Sequence, residues 1–115
     1  MEPDYNVAAL MIDFNEETRG AWRVVAVRGR ADAISCDQFQ ARLVALVERN
    51  KQVAVDFSAL DYISSCGLRA LLHAAREAQG LKVRFAVCSP SAPVKKVFDI
   101  SGLEQILEIH GELPC

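Results

Sequence analysis

Three short runs, WRVVAV from Trp22, QVAVDF from Gln52 and KVRFAVC from Lys82, are dense in β-branched and other apolar residues. Runs of that length and composition read as strands. Between them the apolar period changes. Phe39, Leu43, Leu46 and Val47 recur at helical spacing with Gln40, Arg42, Glu48 and Arg49 largely on the other side, and Leu68, Leu71, Leu72, Ala75 and Ala78 repeat the pattern after Gly67. A strand, a helix and a strand in succession require a crossover connection, and crossovers pair strands in parallel. The nearly continuous apolar character of QVAVDF is that of a strand buried on both faces of a sheet.

The flanking segments complete the outline. Leu10, Ile12 and Phe14 alternate with Met11, Asp13 and Asn15 as in a strand, and the polar stretch Asn15 to Gly20 reads as a hairpin turn into Trp22–Val27, bounded by Gly29. Ser35-Cys36-Asp37-Gln38 fits a capping box opening a helix that stops at Asn50. The helix after Gly67 is expected to end at Gly80, and Ser91 to cap a third whose first turn holds Pro93, whose buried face is Val94, Val97 and Phe98, and whose terminator is Gly102. LEQILEIH then forms a last short strand, with Gly111 to Cys115 a loose tail. The expectation is a single α/β domain over residues 1–115, with a mixed sheet of about four to five strands, an N-terminal hairpin and about three to four helices.

Charge and composition exclude several functions. With 13 basic and 15 acidic residues and no block of like charge, the chain carries no footprint for nucleic acid or an anionic membrane. No apolar stretch approaches the roughly 20 residues of a spanning helix. MEPDYNVAALMIDF lacks the basic region and apolar run of a secretory signal, so a cytoplasmic protein is expected. Cys36, Cys66, Cys88 and Cys115 contain no CxxC pair and are expected to be reduced thiols, three of them buried as small hydrophobes. His73 and His110 lack metal-site spacing, and neither a metal nor a cofactor is expected. No glycine lies two residues before Ser65, so there is no GxSxG elbow, and Leu72 stands where a CxxxxxR phosphate loop beginning at Cys66 needs arginine. No GxxxxGK[ST] loop is present, and the chain is not expected to be an enzyme.

One junction is unusual. In DYISSCGLRALL, Asp61–Leu72, two serines, a cysteine and a glycine separate a strand-like segment from a helix. Ser64 or Ser65 occupies the N-cap, beside helix amides that have no intrahelical partner. Gly67 lowers helix propensity by roughly 1 kcal/mol relative to alanine, and its use is to let another backbone or a ligand come close. A phosphoserine there adds about −1.5 to −2 charges, which the helix N-terminus tolerates but an interface without a basic pocket does not. Cys66 reads as a small packing residue in preference to a redox sensor.

These residues carry a resemblance. DFSALDYISSCGL, supported by VKKVFDISGL and by GRADAISCDQF leading into the first helix, resembles the STAS domain of the bacterial anti-sigma factor antagonist family over nearly the whole chain. The resemblance implies phosphorylation of Ser65, with Ser64 as the alternative, by an anti-sigma factor that is also an ATP-dependent serine kinase. Ser64 stands where many members have aspartate, and Cys66 where serine, alanine or threonine is usual. It further implies that the unmodified form, monomeric when free, binds the anti-sigma factor and releases a sigma factor, and that a metal-dependent serine phosphatase restores it. Asp32, Ser64, Cys66, Gly67 and Arg69 are the implied partner contacts. The competing role on the same fold is a scaffolding subunit of a stress-signalling complex or a cytoplasmic subunit of a lipid or anion transporter.

Overall fold

The computed structural model describes residues 12–113. Strands β1 (Asp13–Arg19) and β2 (Trp22–Ala31) form an antiparallel hairpin. Then follow α1 (Cys36–Arg49), β3 (Gln52–Asp56), β4 (Leu60–Ile63), α2 (Ser65–Leu81), β5 (Arg84–Cys88), α3 (Ala92–Ser101), a 3-10 turn (Leu103–Gln105) and β6 (Glu108–His110). The order across the sheet is β1-β2-β3-β5-β6, with β4 beside the far half of β2; every pairing except the hairpin is parallel.

Strand alternation divides the core into two. Val25, Val27, Val53, Val55, Phe85 and Val87 pack with Phe39, Leu43, Leu71, Ala74, Val94 and Phe98 of the three helices. The intervening Val24, Ala54, Ala86 and Cys88 face the other way, beneath Trp22 and Leu113. Val53, Ala54 and Val55 are all completely buried, the double-sided burial that a continuous apolar run signals.

Several boundaries differ from the sequence reading. The stretch Asn15 to Arg19 is strand, and the turn is only Gly20 and Ala21, with Gly20 at φ 59°. Polar residues suit β1 because it is an edge strand, and Glu16 there is held by Arg23 at 2.9 Å and Arg42 at 3.0 Å. Leu10 and Met11 of the expected alternation lie outside the described residues. DFSALDYI is not one strand: the Asp56 carboxylate accepts the Ser58 amide at 2.9 Å, a turn follows, and Leu60 begins a sixth strand on a different neighbour. Gly80 lies inside α2, which ends at Lys82 with φ 61° and its N–H directed to Ala78 and Gln79. Gly102, at φ 72°, ends α3 as its position implies.

β2 is long because it serves two partners. Arg23–Ala26 pair with β3, and Gly29–Ala31 pair with β4. The change occurs at Gly29, whose φ of 98° only glycine adopts readily, and the β2–β4 register slips there, leaving Asp61 unmatched. As a result Ala31 and Ile63, the last residues of β2 and β4, lie side by side.

Candidate functional site

That register places two chain segments together. β2 runs into the Asp32–Ser35 turn and then α1; β4 runs through Ser64 into α2. The Ser64 amide donates to the Ala31 carbonyl at 2.8 Å, joining the two exits.

Each expected site residue has a definite position. Ser64 is the N-cap of α2, and its Oγ accepts the Gly67 amide at 3.1 Å. Ser65, the first residue of the helix, is exposed, and among the described residues no hydrogen bond engages its hydroxyl. Cys66 is half-buried and Arg69 exposed. Gly67 is buried, and a Cβ there would lie 2.6 Å from the Ala31 carbonyl oxygen and 2.8 Å from Ile63 Cγ1. The close approach this glycine allows is therefore to the chain's own β2.

Asp32 organises the opposite lip. Its carboxylate accepts the Ile34 amide at 3.1 Å, the Ser35 amide at 3.2 Å and Arg30 Nε at 3.4 Å. Burial pushes its carboxyl pKa up, but the Ser35 and Ile34 amides, with Arg30 and the Ser35 hydroxyl, outweigh that and hold it below the ordinary value. The capping box does not form: Ser35 is the N-cap of α1, yet its hydroxyl donates to the Arg30 carbonyl at 2.6 Å and accepts the Asp32 amide at 3.1 Å. The side chain closes the turn and leaves the helix amides alone.

The cysteines also depart from expectation. Cys36 and Cys66 are joined in a disulfide with a Cα separation of 6.0 Å, while Cys88 is a buried free thiol and Cys115 lies outside the described residues. Thirty residues separate the pair, so no short spacing motif announces it; the β2–β4 register brings the two helix starts together.

Three further residues shape the surface. Arg30 stacks over the Tyr62 ring at 4.4 Å from its centroid, linking β4 to Asp32, and Ile34 protrudes from the turn with 82% of its surface exposed. An isoleucine inside a polar turn was the available sequence signal for the last; the Arg30–Tyr62 pair depends on the strand register. Among the described residues no helix is long and apolar enough to cross a membrane.

Comparison with known proteins now bears on this geometry. The family model described as Mlab, STAS domain, matches residues 14–108. The chain belongs to the STAS domain family. It is 31% identical over 87 residues to BtrV of Bordetella bronchiseptica, a protein named as an anti-sigma factor antagonist, covering 75% of each chain. The STAS fold extends to solved structures. An anti-sigma factor antagonist from Mycobacterium paratuberculosis superposes with a TM-score of 0.80 at 21% identity, covering 89% of this chain and 87% of that one. SpoIIAA, a Bacillus cell fate determinant, matches in its unphosphorylated form with a TM-score of 0.69 at 24% identity, covering 84% and 87% of the two chains. Its phosphorylated form matches with a TM-score of 0.63 at 23% identity, covering 84% and 90%.

Proposed function

We propose that this STAS domain is an anti-sigma factor antagonist that acts by partner switching. The unmodified form binds an anti-sigma factor with serine kinase activity and frees a sigma factor; phosphorylation of Ser65 ends the complex, and a metal-dependent serine phosphatase restores it. The domain itself catalyses nothing in this scheme, and its place of action is the cytoplasm. The name of BtrV and the existence of SpoIIAA in both phosphorylation states support the reading.

The observation that carries it is the difference between two adjacent serines. Ser64 is occupied as a helix cap, whereas Ser65 is exposed with an unengaged hydroxyl on the first residue of α2. Phosphate on Ser64 would remove a cap worth about 1 kcal/mol. Phosphate on Ser65 would stand at the favourable end of the helix dipole, and Arg69, four residues on, is within side-chain reach of it. The domain tolerates the dianion, and a partner seated on Ile34, Tyr62 and the Asp32 turn must desolvate it. Asp32, Cys66 and Arg69 are the further contacts in this reading; Gly67 contributes by seating the helix against Ala31.

The test is intact-mass and phosphopeptide analysis of the protein from its host, together with identification of copurifying proteins. Phosphate on Ser65, and a serine kinase that copurifies with the unmodified form only, is the expected result. An unmodified protein that copurifies with a transporter permease would sink the proposal in favour of a transporter subunit.

A further inference from the structure

The Cys36–Cys66 bond lies beside the proposed phosphoacceptor, yet partner switching makes no use of it. Cys36 is the first residue of α1 and Cys66 the second of α2, so the bond joins the first turns of the two helices. The bond also changes how the Asp32–Ser35 turn is held. At Ala31 the turn is tied to α2 by the Ser64 amide and the packing of Gly67. At Cys36 the covalent link to α2 is the disulfide.

We propose that Cys36 and Cys66 are a reversible dithiol–disulfide pair, oxidised by a low-molecular-weight disulfide such as glutathione disulfide, and that oxidation stiffens the Ser65 surface and slows phosphoryl acceptance. The thiol chemistry stands on geometry alone; its effect on Ser65 rests on the phosphorylation proposed above. Clamping the turn to the helix start on both sides restricts the local opening by which the Ser65 backbone fits a kinase cleft.

The exchange balances as two displacements. Cys66, half-buried, is the more accessible sulfur, while Cys36 is 6% exposed. The Cys66 thiolate attacks one sulfur of glutathione disulfide, forming a mixed disulfide and expelling a glutathione thiolate. The Cys36 thiolate then attacks Cys66 Sγ and expels the second glutathione. Two electrons pass from the cysteine pair to glutathione disulfide, and the protons of the two protein thiols are taken up by the two glutathiones. A dithiol reductant reverses both steps. Cys88 takes no part: it is completely buried and its thiol is pushed up to about 11 by burial, with Asp56 and Glu108 adding to the effect.

The folded full-length chain is equilibrated in glutathione buffers of varied ratio, quenched, alkylated with N-ethylmaleimide and weighed intact. One transition that changes the alkylated thiols by two is expected. It should vanish in Cys36→Ser and in Cys66→Ser and persist in Cys88→Ser and in Cys115→Ser. Alkylation of both cysteines at every ratio, or a disulfide that dithiothreitol opens only after denaturation, overturns the proposal. Amide hydrogen exchange at residues 33–36 and 65–68 should be at least about fivefold slower in the disulfide form, and equal rates would overturn the stiffening. Finally, the copurified kinase with ATP and Mg2+ should phosphorylate the dithiol form and Cys36→Ser several-fold faster than the disulfide form. Equal rates in both forms refute the coupling. No phosphate on Ser65 in any form refutes the phosphorylation reading and the coupling together, while the titration and exchange results continue to decide the thiol pair.

Discussion

Gly67 and Gly80 lie in the same helix, and the same substitution in each should change stability in opposite directions. At Gly67 an added Cβ meets the Ala31 carbonyl oxygen at 2.6 Å and Ile63 Cγ1 at 2.8 Å. The first contact is with backbone fixed in the β2–β4 ladder, so relief requires α2 to lift or the strand to shift. Overpacking of this kind costs about 1–3 kcal/mol. Alanine recovers up to about 1 kcal/mol of helix propensity, less in the first turn. The net for Gly67→Ala is a loss of roughly 1–2 kcal/mol, which for a domain of this size lowers Tm by about 5–10 °C.

Nothing lies within 4 Å of a Cβ at Gly80, which is exposed in the last turn of α2. Gly80→Ala should therefore stabilise by about 0.5 kcal/mol through helix propensity and reduced freedom of the unfolded chain. Urea and thermal denaturation of both variants and the parent, all in excess dithiothreitol so that the disulfide contributes equally, gives the comparison. If Gly67→Ala proved as stable as Gly80→Ala, α2 could withdraw from Ala31 at no cost. The account of Gly67 as the residue that seats the helix would then be wrong.

Ser64→Ala should destabilise the domain by about 1 kcal/mol through loss of the cap on the Gly67 amide, whereas Ser65→Ala should stay within about 0.5 kcal/mol of the parent; equal losses in urea unfolding would refute the division between the serines. Asp32 has a folded pKa below its unfolded value, so its stabilisation is complete above the unfolded value and disappears as pH falls through the folded one. Asp32→Asn should accordingly flatten the acid limb of a Tm-against-pH curve below about pH 4, and an unchanged limb would count against the amide-bonded carboxylate. Cys88, with its thiol at about 11, should resist iodoacetamide at pH 7 in the folded protein and react on denaturation; rapid labelling in the native state would contradict its burial.

The sequence disclosed the features that depend on local period. Double-sided burial of Val53–Val55, the helices after Ser35 and Ser64, and the Gly102 terminator follow from spacing within a few residues. Features that depend on which strands pair were hidden. Asp56 makes a turn through its own Ser58 amide, so β4 leaves β3 and joins β2, and the strand count rises beyond the expected four or five. The same pairing creates the disulfide and places Arg30 on Tyr62. Ser35 looked like half of a capping box because the box is a sequence pattern; Asp32, three residues earlier, redirected its hydroxyl to the turn. Within DYISSCGLRALL the helix start and its serine cap were legible, and the strand pairing that sets the Asp32 turn beside them was not.

Successive residues of a helix point about 100° apart, and the start of α2 uses that rotation fully. Ser65 faces outward, Cys66 turns toward Cys36 and Gly67 faces Ala31. A charge added to Ser65 therefore enters neither the disulfide nor the helix seat. Its electrostatic cost to the domain is low because amides and the dipole oppose it, and its cost to a docked partner is high because an interface removes its water. The arrangement separates the surface proposed to be switched from the contacts that keep the fold. Moving the proposed phosphoacceptor by one residue in either direction would abolish that separation: at 64 the modification takes the cap, and at 66 it displaces the sulfur that joins the two helix starts.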